Sequence, residues 1–225
     1  TAVKANGNEG FKANPVGTGP FKVDKYDPGQ ALEMVGNPDY WKGAPKLDRI
    51  VLKAMPDART RLSALQAGEI QWAEAPPPDS VQQLTAEGFN VLLKQYPHTI
   101  YFDPSPLESS PASNPLVRQA FAYALDRDGL CTSLLAGLCT PAYQMAYEGH
   151  PWWDTELGQK YTYDPEKAKQ LLTEAGYPDG VDVSILFPAS GSGNMWPPQM
   201  MEFVQANLEA VGIRASLESV EWNQL

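Results

Sequence analysis

The spacing of apolar positions changes about half-way along the chain. In the first hundred residues they alternate in short runs, which is the mark of half-buried strands. Phe21, Val23 and Tyr26 alternate with Lys22, Asp24 and Lys25, Asp27-Pro28-Gly29 turns, and Ala31 to Val35 returns, which predicts a β-hairpin. A third apolar run covers 50–55, and shorter strands are predicted over 70–73, 91–94 and 99–103. Two helices lie between these runs. Asp57 caps the first, whose face is Ala58, Leu62 and Leu65 with Gly68 as its stop, and Asp79 caps the second, through Val81 and Leu84 to Gly88.

Residues 104–114 hold three prolines and four serines in eleven positions, a crossover or linker. A helical period follows. Asn114-Pro115 supplies a cap and a first-turn proline, and Val117, Ala120, Phe121, Ala124 and Leu125 form one apolar stripe. Asp126-Arg127-Asp128 interrupts it before a second helix through Leu134-Leu135 that stops near Gly137. Asp164-Pro165 opens another helix with the face Ala168, Leu171, Leu172 and Ala175, closed by Gly176. Val181, Val183, Ile185 and Phe187 then alternate as a strand, Pro197-Pro198 starts a helix through Val211, and Ile213, Ala215 and Leu217 alternate again. Strand, helix and strand with short joints make a parallel βαβ unit, so the fold class is α/β.

Composition narrows the function classes. With 43% apolar residues in 225 a core can form, and no apolar run is long enough to span a membrane. Seventeen basic against 27 acidic residues give a net charge of −10, which repels phosphate backbones and excludes nucleic-acid binding by this chain. The sequence begins at Thr1 and ends at Leu225 with no leader and no polar tail, and both ends read as cuts through a longer protein. The Gly-rich segments Gly17-Thr18-Gly19 and Ser190-Gly191-Ser192-Gly193 match neither a phosphate-binding loop nor a nucleophile elbow. His98 and His150 are too scattered for a metal site, and Cys131 has no adjacent His to activate it. No cofactor is expected, and no reaction is supported.

Several segments together carry a family resemblance. Pro15 to Lys22 (PVGTGPFK), Asn37-Pro38-Asp39-Tyr40-Trp41 and Leu65 to Ile70 (LQAGEI) are three of them. Val117-Arg118-Gln119-Ala120 with Ala124 to Arg127, Asp164 to Tyr177, and Gln205 to Ile213 followed by Glu221-Trp222 complete the set. Six ordered segments resemble the family 5 extracellular solute-binding proteins, the peptide/nickel class of ABC importers. The resemblance implies two incomplete α/β lobes of the type II periplasmic-binding-protein kind, 1–103 in the first, 104–114 near a hinge crossing and 115–225 in the second. It also implies a monomer that binds a small solute or peptide and hands it to an ABC permease. Its place would be periplasmic or extracellular, with a lipid anchor through a preceding segment. A solute-sensing module of a regulator is the alternative.

Clefts form where lobes face each other, at the ends of strands. Three places fit: Glu74 and Ala75; Tyr101, Phe102 and Asp103; and the loop holding Ser192, Asn194 and Trp196. Dipeptide-binding relatives place an arginine in that loop, and Ser-Gly-Ser-Gly has none, so Glu74 and Asp103 point to a ligand with an amine or other cationic group. Arg118 and Arg127 read as locally paired, and Trp41 as packing against the hairpin. Trp152-Trp153 covers the core or stacks on a ligand. Cys131 and Cys139 would lie about 12 Å apart on one continuous helix, too far for a bridge. Gly137 lets the chain fold back, and an oxidising compartment favours a disulfide; two separately buried thiols are the alternative.

Overall fold

The computed structural model describes residues 2–13, 15–94, 99–189 and 196–221. The chain divides into two compact units, residues 1–61 and 62–225, so the Pro/Ser-rich stretch 104–114 lies inside the second.

The first unit opens with α1 (Ala2–Ala13), two helical pieces that meet at Gly7, where φ is 67°. The alternation of the sequence does not announce this helix. The predicted hairpin forms from β1 (Phe21–Asp27) and β2 (Ala31–Gly36), and β3 (Arg49–Lys53) adds to it in the antiparallel order β1-β2-β3. Gln30 donates its amide to the Asp27 carbonyl at 3.0 Å, and Gly29 takes the positive φ of 75° that this turn needs. Val23, Met34 and Ile50 stand opposite one another across the sheet. Arg49 bonds Glu33 at 2.6 Å and Asp24 at 2.8 Å, which ties all three strands together.

Asn37 organises the turn that follows β2. Its amide nitrogen donates to the Pro20 carbonyl at 2.8 Å, its side chain donates to the Gly19 carbonyl at 3.2 Å, and its Oδ1 accepts from the Asp39 amide at 3.1 Å. The turn aims Trp41 outward. Its side chain is 72% exposed, with Lys42 Nζ 4.6 Å above the ring, so the expected packing on the hairpin is corrected.

Helix α2 (Ala58–Gln66) runs across the boundary between the units. Asp57 caps it by accepting from the Thr60 amide at 2.7 Å, a bond that also holds its carboxyl below the usual range. Gly68 ends it at φ 76°. The next helix is shorter than expected. A 3-10 turn Pro78–Ser80 precedes α3 (Val81–Ala86), and the cap falls at Ser80 rather than Asp79. Residues 70–73, 91–94 and 99–103 run without ladder partners among the described residues, although strands were expected there. An apolar run becomes a strand only when a neighbouring strand supplies hydrogen bonds.

The second unit holds the larger core. Asn114 caps α4 (Pro115–Ala124) by accepting from the Leu116 amide at 2.9 Å. After α4 come α5 (Arg127–Gly129) and a wide π turn Leu130–Leu134. Asp164 caps α6 (Pro165–Glu174) through the Lys167 amide at 2.9 Å. Ala120 and Ala124 of α4 and Ala168 of α6 are fully buried, so these helices pack through small side chains. Strand β4 (Val181–Pro188), helix α7 (Pro197–Glu209) and strand β5 (Ile213–Val220) follow. The two strands pair in parallel from Val181 with Ile213 to Pro188 with Val220, as the alternation predicted. Val181, Ile185, Phe187, Ile213 and Ala215 face inward, while Leu186 is 54% exposed on the other face. Met201, Val204 and Leu208 of α7 cover the inner face. No helix among the described residues is long and apolar enough to cross a membrane.

Cys131 and Cys139 form a disulfide, with Cα atoms 5.3 Å apart. Ala136 at φ 52° and Gly137 at φ 76° reverse the chain, and the Gly137 amide donates back to the Cys131 carbonyl at 2.8 Å. Closing a loop of this length stabilises the fold by about 2.5 kcal/mol through the entropy of the unfolded chain. Urea denaturation of the Cys131→Ser, Cys139→Ser double variant should show that loss, and the unreduced protein should weigh two hydrogens less than the reduced one.

Candidate ligand-facing segments

Open parallel sheets present ligands at the carboxyl ends of their strands. Here that end is marked by Pro188 and Val220, and the Ala189 amide still donates to the Val220 carbonyl at 2.8 Å. Ser192 and Asn194, expected to touch ligand, lie outside the described residues. Trp196 re-enters at the start of α7, half-buried, with a left-handed backbone at φ 51° and ψ 51°. The proline after it disfavours the right-handed helical region at this position. Its carbonyl accepts from the Met200 amide at 2.9 Å, so the strained residue is also the first link of the helix.

Glu74 and Ala75 are exposed in the turn that leads into buried Pro77 and Pro78. Ala75 is left-handed as well, at φ 46°. Among the described residues only Ala75, Ala136 and Trp196 combine a positive φ with a side chain. Two of the three were singled out from the sequence as ligand-facing. Strain of this kind gathers at binding and switch sites because the surrounding structure must hold it in place.

Tyr101, Phe102 and Asp103 belong to an extended segment, not a strand. Phe102 meets Phe121 edge-on at 4.9 Å and packs against the core that contains Phe187 of β4. Its ring is therefore committed to the core, which carries this segment to the same packed body as β4. Tyr101 is 60% exposed, and Asp103 is exposed too. Two residues earlier, Thr99 Oγ1 donates to the Met145 carbonyl at 3.1 Å and fastens the segment to the loop 145–153.

That loop was only partly legible. The Tyr147 carbonyl accepts from the His150 amide at 3.0 Å, and the His150 carbonyl accepts from the Trp153 amide at 2.9 Å. His150 Nδ1 accepts from the Trp152 amide at 3.1 Å. The Gln144 side chain bonds both backbone groups of Asp154, at 2.6 and 3.0 Å. Tyr147 lies edge-on to His150 at 5.3 Å and His150 to Trp152 at 5.2 Å. Trp152 is 83% exposed, whereas Trp153 is half-buried, so the two adjacent indoles have different tasks.

The arginines are structural. Arg118 donates to the carbonyls of Ala112 and Ser113 at 2.9 and 2.8 Å. Arg127 donates to Ala122, Leu125 and Tyr161 carbonyls at 3.0 to 3.3 Å and lies 5.1 Å from the Tyr143 ring centre. Burial lowers the Arg127 pKa, and burial together with Asp128 raises that of Tyr143, whose hydroxyl donates to Asp128 at 2.9 Å. A surface depression of about 340 Å³ beside Lys169, Tyr177, Gly180 and Gly212 sits at the amino ends of β4 and β5, the wrong end for a ligand.

The family described as bacterial extracellular solute-binding proteins, family 5 Middle, matches residues 1–225. The chain belongs to this solute-binding family. Heme-binding protein A of Haemophilus influenzae is 34% identical over 98% of the chain and 40% of its own length. The dipeptide-binding protein of Escherichia coli is 29% identical over 99% of the chain and 42% of its length. The periplasmic binding protein DppA from Helicobacter pylori, solved with the peptide STSA, superposes with a TM-score of 0.78 at 27% identity, covering 99% of this chain and 42% of that one. The chain thus spans about two fifths of the length of these solute-binding relatives.

Ala75 offers a check on the strain. Glycine adopts the left-handed region without the Cβ clash, so Ala75→Gly should raise stability by about 0.5–1 kcal/mol in urea denaturation. A loss instead would show that the methyl group, not the backbone, sets this turn.

Proposed function

We propose that the protein captures a small solute outside the cytoplasmic membrane and delivers it unchanged to the permease of an ABC importer. The match of the solute-binding family along residues 1–225 carries this reading. The parallel βαβ unit supports it, because it presents Trp196 and the end of β4 where such folds hold ligands. The ligand-facing set is Glu74, Ala75, Tyr101, Phe102, Asp103 and Trp196, joined by Ser192 and Asn194. Of these, Phe102 acts from behind, by seating the segment on the core.

The stretches 1–103 and 115–225 are proposed to belong mainly to two lobes that close on the solute, with 104–114 near the hinge and Phe102, just before it, seated on the core of the second stretch. The protein acts as a monomer, held at the membrane surface by a lipid anchor. Relatives solved with the peptide STSA, with Met-Leu and with agropinic acid set the range of solutes worth testing. The segment 190–195 contains neither Lys nor Arg, so a clamp on a peptide carboxylate is not expected from it.

A panel of di- to tetrapeptides and opines, read by thermal shift and then calorimetry on the full-length protein that carries these residues, tests the reading; the 225-residue chain by itself is expected to bind the same solute weakly or not at all. One solute should bind at a single site, raise Tm, and be recovered unaltered by mass spectrometry. A solute recovered chemically converted, or a panel without a single binder, would contradict it.

A further inference from the structure

Among the described residues Trp152 is the most exposed of the large apolar side chains, at 83%, and the backbone around it is hydrogen-bonded. Its own amide bonds His150 Nδ1, the next amide bonds the His150 carbonyl, and the His150 amide bonds the Tyr147 carbonyl. The Gln144–Asp154 bonds close the base of the loop. The loop is thus built to hold an indole outward, against the tendency of so large an apolar ring to be buried. Edge-to-face contacts join Tyr147, His150 and Trp152 in a row, at interplanar angles of 69° and 67°. This geometry leaves ring faces available around a corner.

The charge around this corner has one sign. Residues 95–117 and 128–159 contain no Lys and no Arg, but they carry Asp103, Glu108, Asp128, Glu148, Asp154 and Glu156. Glu148 is exposed two residues before His150, and Thr99 fastens the segment of Asp103 to the same loop through Met145. Lys94, Arg118, Arg127 and Lys160 border these stretches; the two arginines are engaged with backbone carbonyls, and Lys160 Nζ lies 5.3 Å over the Tyr161 ring. The acidic side chains of these stretches disfavour an anionic group. A cation over a ring face is attracted by the ring quadrupole, and the surrounding carboxylates add to that attraction.

We infer that Tyr147, His150 and Trp152 form a subsite for a cationic group of the solute, an alkylammonium or a guanidinium. The inference rests on the solute-binding reading and specifies its ligand class. It adds three residues to the ligand-facing set, on a loop separate from the strand ends.

Calorimetry on the full-length protein with two probes tests it: N-acetyl-phenylalanyl-arginine amide and N-acetyl-phenylalanyl-citrulline amide, which has a neutral urea in place of the guanidinium and carries no other cation. The unmodified protein should bind the arginine probe about tenfold more tightly than the citrulline probe. Trp152→Ala should remove most of that preference while leaving the citrulline probe within about twofold, and Trp152→Phe, which keeps a ring, should retain it. Equal binding of both probes by the unmodified protein overturns the inference, as does an equal loss of both in Trp152→Ala, the result expected of a merely apolar dock. A Trp152→Ala variant that keeps its probe preference but binds the permease less well also overturns it and marks the corner as a protein interface. Failure of both probes to bind overturns the subsite; a binder from the peptide and opine panel would then leave solute binding standing.

Discussion

The second unit depends on one crossover. Helix α7 can lie on the parallel pair β4–β5 only if its apolar stripe meets the inward residues of both strands, and Leu208 of α7 and Ile213 of β5 are both at 0% exposure in that shared core. Apolar burial supplies the driving force. Two further bonds hold α7 in register: Gln205 Nε2 donates to the Ala215 carbonyl at 2.7 Å, and Asn207 Oδ1 accepts from the Asp126 amide at 2.8 Å. The second of these joins the crossover to the end of α4, and α4 packs on α6. Strands, crossover and both flanking helices therefore share one continuous core.

That core gives the exposed segments their positions. Phe102 is held by Phe121, so Tyr101 and Asp103 are presented at the surface of a rigid body. Trp196 is fixed because its carbonyl starts the α7 ladder, even though its own backbone is left-handed. Surface polar groups add little to this. The Asp182–Arg214 pair at 2.7 Å and the Ser184–Ser216 bond at 3.1 Å link β4 to β5 on the exposed face, where water screens them. Arg214 does hold the Asp182 carboxyl below its usual range, so the pair contributes at neutral pH and is lost as the solution becomes acidic enough to protonate it.

What could be read in advance follows the same division between local and distant causes. Caps at Asp57, Asn114 and Asp164 were legible because the side chain and the amide it accepts from lie two or three residues apart. The parallel pairing was legible because strand alternation on both sides of a short helical stripe leaves one good topology. The runs at 70–73, 91–94 and 99–103 misled because a strand is defined by its partner, and local pattern carries no information about partners. Asp79 is displaced from the cap position because the 3-10 turn Pro78–Ser80 precedes α3, and Ser80, which occupies it, spends its hydroxyl on the Pro77 carbonyl at 2.6 Å. Of the residues proposed to face the ligand, Ala75 and Trp196 were picked by their position at the ends of apolar runs, but their backbone strain was invisible. Tyr147 and His150, which the inferred subsite adds, did not stand out as ligand-facing in the sequence. The available signal was three rings within six residues in a stretch without Lys or Arg, and it acquires meaning only through the bonds that order the backbone around Trp152.

Hydrogen exchange on Leu208→Ala tests most directly whether the crossover holds the second unit together. Removing this fully buried side chain costs about 2–5 kcal/mol in well-packed cores. If the account is right, amides of Val183 and Ile185 in β4, Ser216 and Glu218 in β5, and Leu171 and Leu172 in α6 lose protection together and by similar amounts. Loss confined to α7, with β4, β5 and α6 protected as before, would contradict it.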